Sequence, residues 1–396
     1  MDILLDKHFQ IIRDTSTDFT RSIANKIHWD ERLIGIKGAK GTGKTTLLLQ
    51  HIKSTLNNHK AIYLSLDDIY FFGNTLSDTV RQFIQMGYDH FFMDEVHKYP
   101  NWSVEIKNLY DTYRNIKIVF TGSSIIQLIE GSGDLSRRAM LYDLPGLSFR
   151  EYIEFSTKTE LATYSLKEIL ENHQTIANEL LVKFRPFEHF NNYLQKGYYP
   201  FFIETPKTYH FRVENAINQT LESDLPLVKN ISVDSIINLK KILFVIAQSV
   251  PFKPNIQKIS ERTGINRNSL IIYLRYLEEA KIIKQLYASN IGISALQKPQ
   301  KIYFENPNLI YSLSAQFNQI GTVRETFVLN QLSSTYTTNY PKAGDFIVEN
   351  RYTFEVGGKN KTQKQIANIE NSYIISDQIE VGIGNKIPIW LLGFLY

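Results

Sequence analysis

Residues Leu33 to Gln50 read LIGIKGAKGTGKTTLLLQ, an apolar run that ends in a glycine-rich turn and opens a leucine-rich helix. Gly38, Gly43, Lys44 and Thr45 fit G-x-x-x-x-G-K-[ST], and Thr46 follows. The spacing has a physical reason. Glycines let the backbone curl until its N–H groups point inward at phosphate oxygens. The helix that starts near Gly43 adds the positive end of its dipole. Lys44 is placed to reach the β- and γ-phosphates, and the Thr45 hydroxyl to ligate Mg²⁺. Gly38, Ala39, Lys40, Gly41, Thr42, Gly43, Lys44, Thr45 and Thr46 are therefore the candidate ATP-binding residues. The bland reading is a glycine-rich strand-to-helix turn with an idle lysine. The surrounding strand–loop–helix pattern weighs against it.

Working outward, apolar runs alternate with helical periodicities. Ala61 to Leu66 is a predicted strand, Thr75 to Gln85 a helix, and Phe91-Phe92-Met93 a strand running into Asp94-Glu95. Trp102 to Asn115 is a predicted helix, Lys117 to Thr121 a strand, Ile125 to Glu130 a short helix and Met140 to Leu144 a last strand. Such alternation predicts an α/β fold, a P-loop NTPase parallel sheet with helices on both faces. Ligands of such sheets bind beyond the carboxyl ends of the strands, where the polar clusters fall.

Those clusters carry chemistry. Asp94 at a strand end can hold Mg²⁺ through water, and Glu95 can orient and deprotonate an attacking water. The plain alternative is an acidic strand end in a binding-only fold. Ser123, after Thr121-Gly122, is a candidate to touch the γ-phosphate; Ser124 reads as a helix cap. Arg138, ahead of Arg137, is a candidate arginine finger, and acting in trans it would require a homo-oligomer. Its bland reading is a solvated arginine or a salt bridge.

The composition sets limits. Across 396 residues, 43% are hydrophobic and 21% charged, ordinary values for a globular chain. A net charge of +4 is too small to imply nucleic acid by itself. The absence of Cys rules out disulfides, thiolate zinc sites, Fe–S clusters and a cysteine nucleophile. The first residues lack a signal-peptide pattern, and no window reaches the ~18 apolar residues of a membrane span. A cytoplasmic location with no membrane partner is the expectation. The apolar stretch IPIWLLGFLY, Ile387 to Tyr396, reads as a buried terminal strand.

Four regions are expected: 1–150 the ATPase domain, 151–226 a helical lid or connector, 227–290 a winged helix-turn-helix, and 291–396 a small α/β restriction-endonuclease-like domain with a degenerate site. In the third, Asn255 to Arg262, Thr263-Gly264-Ile265 and Asn266 to Ala280 give helix, turn, helix, with Asn266 as cap. Arg267 and Asn268 would lead into a DNA groove. From Phe252 to Lys301 nine Lys and Arg face three Glu, a local excess that suits phosphate contacts. Winged helices also dock proteins, and Ile272, Tyr273 and Tyr276 lie off the core stripe of Leu270, Leu274 and Leu277, so a partner-facing role stays open. In the fourth region, Glu325, Asp345 and Glu355 resemble the carboxylates of restriction-type nucleases. Gly357 stands where those carry lysine, and Lys359 comes two residues late.

GAKGTGKTT, FFMDEVHKYPNW, IVFTGSS, SRRAMLYDLPGLSFREY and GYYPF together resemble a family of prokaryotic AAA-type ATPases that carry a C-terminal winged helix and a restriction-endonuclease-like fold. The resemblance is strongest over 33–152. It implies ATP binding at Gly38 to Thr46, magnesium and water chemistry at Asp94 and Glu95, and an arginine near Arg138. Many relatives have Pro and Arg in the loop where this chain has Lys37 to Lys40. The expectation is a Mg²⁺-dependent ATPase whose nucleotide state controls a DNA-binding or partner-binding module. An ATP-gated switch without a nucleic-acid role and an active ATP-dependent DNA nuclease are the alternatives.

Overall fold

The computed structural model describes residues 1–56, 60–122, 135, 137–229, 231–248, 256–288, 299–313 and 319–396. These residues pack into two units, Met1–Gly146 with Ala216–Ser232, and Leu147–Asn215 with Val233–Tyr396.

The first unit is built on five strands: β1 (Leu33–Lys37), β2 (Ala61–Ser65), β3 (His90–Asp94), β4 (Lys117–Gly122) and β5 (Met140–Asp143). They lie in the order β2-β3-β4-β1-β5, and every pairing is parallel. β1 to β4 are continuous, mostly apolar buried runs because both faces of a parallel sheet are covered. Side chains alternate between two cores. Leu33, Ile62, Leu64, Phe91, Met93, Ile118 and Phe120 enter one. Ile34, Ile36, Tyr63, Phe92 and Val119 enter the other.

Helices close each face. α2 (Lys44–Thr55) brings Leu47, Leu48 and Ile52 to the second core. α3 (Leu76–Gln85) and α4 (Trp102–Thr112) serve the first. Thr75 caps α3 by accepting from Asp78 N. Leu76, Val80 and Phe83 are fully buried on one stripe, and truncating a side chain of that kind to Ala costs about 2–5 kcal/mol. The helix expected to run to Asn115 stops at Thr112. α1 (Asp2–Asp14) covers the open edge of β2, where His8 Nδ1 accepts from Tyr63 N at 3.1 Å. A bare edge amide is thereby satisfied. The short helix expected over Ile125 to Glu130 falls outside the described residues.

The second unit begins with α5 (Phe149–Thr157), α6 (Leu166–Lys183) and α7 (Pro186–Lys196). Capping boxes at Ser148/Glu151 and Ser165/Glu168 start the first two. Aromatic rings dominate its core: Phe149, Phe190, Tyr193, Phe327 and Trp390 are all under 3% exposed. The GYYP turn is anchored by buried Asn308, whose amide donates to Tyr193 O and Leu194 O and whose carbonyl accepts from Tyr198 N.

Later in this unit come α8 (Val233–Ala247), α9 (Ile256–Thr263) and α10 (Arg267–Glu279), with the antiparallel pair β6 (Ile283–Leu286) and β7 (Lys301–Phe304). After α11 (Pro307–Leu313) and α12 (Ile320–Ser333) comes a second five-stranded sheet. Its strands are β8 (Thr338–Asn339), β9 (Phe346–Val348), β10 (Tyr352–Gly357), β11 (Ser372–Ser376) and β12 (Lys386–Pro388). β8, β9 and β10 pair antiparallel, whereas β10, β11 and β12 pair parallel. The apolar terminus is buried but is only briefly a strand. Pro388 cannot donate to a ladder, and Ile389–Phe394 turns into a 3₁₀ helix.

Candidate functional site

Register brings the polar strand ends together. Lys37 lies beside Gly122 and Asp143, and Asp94 beside Ser65. Between β1 and α2 the chain curls through Gly38 to Gly43, and Gly43 takes φ 93°, a left-handed value that favours glycine. A Cβ on Gly38 would sit 2.4 Å from Leu144 O, so only glycine lets the loop pass the end of β5.

Lys44 Nζ donates to Gly38 O at 3.0 Å and Ala39 O at 2.9 Å, inside its own loop. Burial pulls its pKa down, while the Glu95 and Asp94 charges pull it up; the net direction is down. Thr45 Oγ1 donates to Asp94 Oδ2 at 2.6 Å. Tyr63 OH donates to the same oxygen at 2.8 Å, and Thr121 Oγ1 hydrogen-bonds Asp94 Oδ1. Asp94 is thus fixed by three hydroxyls from three elements. Burial, then the Asp94 charge, push the Tyr63 phenol far above its ordinary range, so it stays a donor. A threonine hydroxyl beside a strand-end carboxylate supplies hard oxygens, and magnesium takes few protein ligands while keeping waters. The pair fits it. Among the described residues no group of three or more His, Asp or Glu is placed to hold a metal ion.

Glu95 has φ 52° and ψ 39°, a region that non-glycine residues seldom occupy outside functional turns. Its N–H points at Thr121 Oγ1, 3.4 Å away. Its carboxylate Oε2 lies 3.4 Å from His97 Nε2. Asp224 approaches the same nitrogen: its Oδ1 is 3.6 Å from His97 Nε2 and accepts from Lys98 Nζ at 2.5 Å. Asp224 Oδ2 is 3.7 Å from Lys40 Nζ of the loop. Burial raises the Asp224 pKa, but the hydrogen bonds of His97 and Lys98 and the Lys40 charge outweigh it and hold the carboxyl well below the usual range.

Lys44, Thr45, Asp94 and Glu95 are therefore neighbours. Arg138 is engaged elsewhere: its Nε and Nη2 meet Asp111 Oδ1 and Oδ2 at 3.0 and 3.2 Å. Ser123 lies outside the described residues. Arg21, Tyr63, Thr121, His97 and Asp224 are participants that sequence reading did not find. Arg21 is buried and donates to Thr42 O, Pro145 O and Gly146 O at 2.8–2.9 Å, which ties the loop to the segment after β5. His97 and Lys98 stand in DEVHK directly after the acidic pair, a signal in plain view. Asp224 has no local cue.

In the second unit, Glu325 and Asp345 converge on an ammonium. Lys301 Nζ lies 3.1 Å from Glu325 Oε2 and 3.3 Å from Asp345 Oδ1, and Tyr303 OH donates to Glu325 Oε2 at 2.6 Å. Burial lowers the Lys301 pKa, but the Glu325 and Asp345 charges raise it further than burial lowers it. Lys359 is exposed and does not reach Glu355; Lys361 pairs with it instead. The reason is local. β10 ends at Gly357, the chain turns at once, and the stem of Lys361 folds back over the position where a Gly357 side chain would stand. Arg267 and Asn268 are exposed in the first turn of α10, capped by Asn266 Oδ1 accepting from Ser269 N at 2.9 Å. Lys301, counted from sequence among the basic residues around this helix, is committed to the carboxylates.

Residues 30–153 match the family model of an AAA domain. This region is similar to that AAA family. Residues 187–319 match the model of a domain of unknown function (DUF8612). An uncharacterized protein of Methanocaldococcus jannaschii is 25% identical over 403 residues, covering 92% of this chain and 85% of its own. Similar solved structures include AMPPCP-bound DnaA from Aquifex aeolicus, with 17% identity, 69% of this chain and 87% of that chain covered, and a TM-score of 0.25. C. elegans PCH-2 gives 16% identity, 36% and 48% coverage, and a TM-score of 0.26. TM-scores that low carry nothing about function. No helix among the described residues is long and apolar enough to cross a membrane.

Proposed function

We propose that this chain hydrolyses ATP at the carboxyl end of the first sheet and uses the nucleotide state to control its C-terminal region. One observation supports this most. The 2.6 Å bond from Thr45 to Asp94 sets a magnesium-type oxygen pair at the base of the phosphate loop, with Glu95 in the next position. The loop amides and Lys44 bind the triphosphate once the amine exchanges Gly38 O and Ala39 O for phosphate oxygens. Magnesium, held by Thr45 and through water by Asp94, would neutralise charge on the β- and γ-phosphates. Glu95 then orients a water in line with the γ-phosphorus and takes its proton.

Lys44→Ala should bind nucleotide poorly and lose turnover. Glu95→Gln should keep binding and lose turnover by about 10²-fold or more. Wild-type phosphate release from either variant would refute its assigned role.

For the C-terminal region we propose a winged helix, with α10 as the element presented to DNA. The exposure of Arg267 and Asn268 in its first turn supports this over a purely protein-facing module. The second sheet resembles a restriction-endonuclease-like fold, but the Lys301 ammonium sits between the carboxylates that would bind metal. That disfavours Mg²⁺-dependent cleavage. Arg138 can serve as a finger for a second copy only by giving up Asp111.

A further inference from the structure

We propose that Asp224 is a positioning residue of the ATPase centre, which keeps Glu95 competent by competing with it for the neighbouring His97. The proposal rests on the reading of Glu95 given above. The geometry is a competition. One imidazole nitrogen, His97 Nε2, lies 3.4 Å from Glu95 Oε2 and 3.6 Å from Asp224 Oδ1. A single N–H satisfies one carboxylate at a time. If it is given to Glu95, that carboxylate has one lone pair fewer with which to hold and orient a water.

The nitrogen lies slightly nearer Glu95, and the surroundings of Asp224 supply the opposing pull. It is 0% exposed, so its charge is little screened, and it already holds Lys98 at 2.5 Å and Lys40 at 3.7 Å. Lys98 follows Glu95 by three positions and is held on Asp224 rather than on the base. Lys40 links the same carboxylate to the phosphate loop. Asp224 ends a π-helical turn, Thr220–Asp224, an uncommon geometry that recurs at functional positions. The segment carrying it, Ala216–Ser232, packs with the ATPase unit although the chain on either side belongs to the other unit.

The test is a cycle of variants in the full chain, with ATP turnover, affinity for a fluorescent ATP analogue and thermal melting measured together. Asp224→Asn should lower kcat by about tenfold or more while analogue affinity changes less than about threefold. Adding His97→Ala to Asp224→Asn should restore kcat to within about threefold of His97→Ala alone, since the competing donor is gone. A kcat for Asp224→Asn within about twofold of wild type would overturn the proposal. So would a double variant no faster than Asp224→Asn. If Asp224→Asn does not melt cooperatively, Asp224→Glu carries the test. Retaining the charge, it should keep more than about a third of kcat, and a tenfold loss in a variant that still binds the analogue would overturn the proposal. Wild-type protein without Lys44-dependent turnover would remove the ATPase reading itself, a result distinct from any failure of the cycle.

Discussion

Arg21 Nη1 donates to Thr42 O at 2.9 Å. Through this bond a residue upstream of β1 braces the phosphate loop, and its other two bonds reach Pro145 O and Gly146 O. Three carbonyls from two segments share one guanidinium.

Removing that brace should loosen the loop. Arg21→Ala is expected to weaken ATP-analogue binding by about tenfold or more and to destabilise by about 2–3 kcal/mol, because buried carbonyls lose their donor. Arg21→Lys should rescue only part, since an ammonium cannot span the fork. Titration calorimetry beside urea unfolding reads both; unchanged affinity in Arg21→Ala would exclude the brace.

His8 makes the first unit acid-sensitive. Burial lowers its pKa from 6.5 to about 4, so the folded state keeps a neutral imidazole that accepts from Tyr63 N. The unfolded chain binds that proton more readily. Stability is therefore complete above pH 6.5 and lost as pH falls towards 4. Between pH 7 and 5 this one group should cost about 2 kcal/mol. His51, lowered to about 4 by burial and by the His90 and Lys117 charges, acts in the same direction. His8→Gln should flatten this pH slope in urea unfolding; a slope equal to wild type would deny His8 the role.

The Arg138–Asp111 pair is half exposed and should be worth less than about 1 kcal/mol, which makes it easy to exchange. Should Arg138 act on a second copy, Arg138→Ala loses about 10³-fold in kcat. Mixing Arg138→Ala with Glu95→Gln should then recover activity, since each copy supplies what the other lacks. No recovery on mixing, with each variant shown to be folded, would place Arg138 outside the chemistry.

Lys301→Met would leave Glu325 and Asp345 facing each other across a nearly buried gap. The second unit should lose about 3 kcal/mol in unfolding experiments. Plasmid incubated with wild-type protein and Mg²⁺ should remain intact. Cleavage that Asp345→Ala abolishes would show that the lysine does not close the site.

If α10 faces DNA, Arg267→Ala should weaken binding across sequences and reduce the salt slope of a gel-shift titration by about one. Salt-independent binding, or none by wild type, would turn the module towards a protein partner.

The P-loop half was legible because its signals are local. A glycine-rich turn, an apolar strand ending in Asp94-Glu95 and a strand–helix alternation each fit inside one short window, and both faces of a parallel sheet must be apolar. What stayed hidden depends on distant chain. Tyr63 reads as one more apolar strand residue until the pleat turns its hydroxyl onto Asp94. Thr121 was passed over for Ser123, although the strand's last pleat aims the threonine. Lys359 looked like the displaced lysine because sequence distance along a strand was extrapolated through a turn; Gly357 made room for Lys361 instead. Asp224 joins the loop only through tertiary packing, and no periodicity announces that.

Because Ala216–Ser232 is nested between two stretches of the other unit, no single cut in the polypeptide yields the first unit intact. A fragment ending at Gly146 would lack Asp224 and leave Lys40, His97 and Lys98 without their common counter-ion. Recombination faces the same obstacle: exchanging one unit between genes requires crossovers on both sides of a short insert, so the two units are expected to be inherited as one piece.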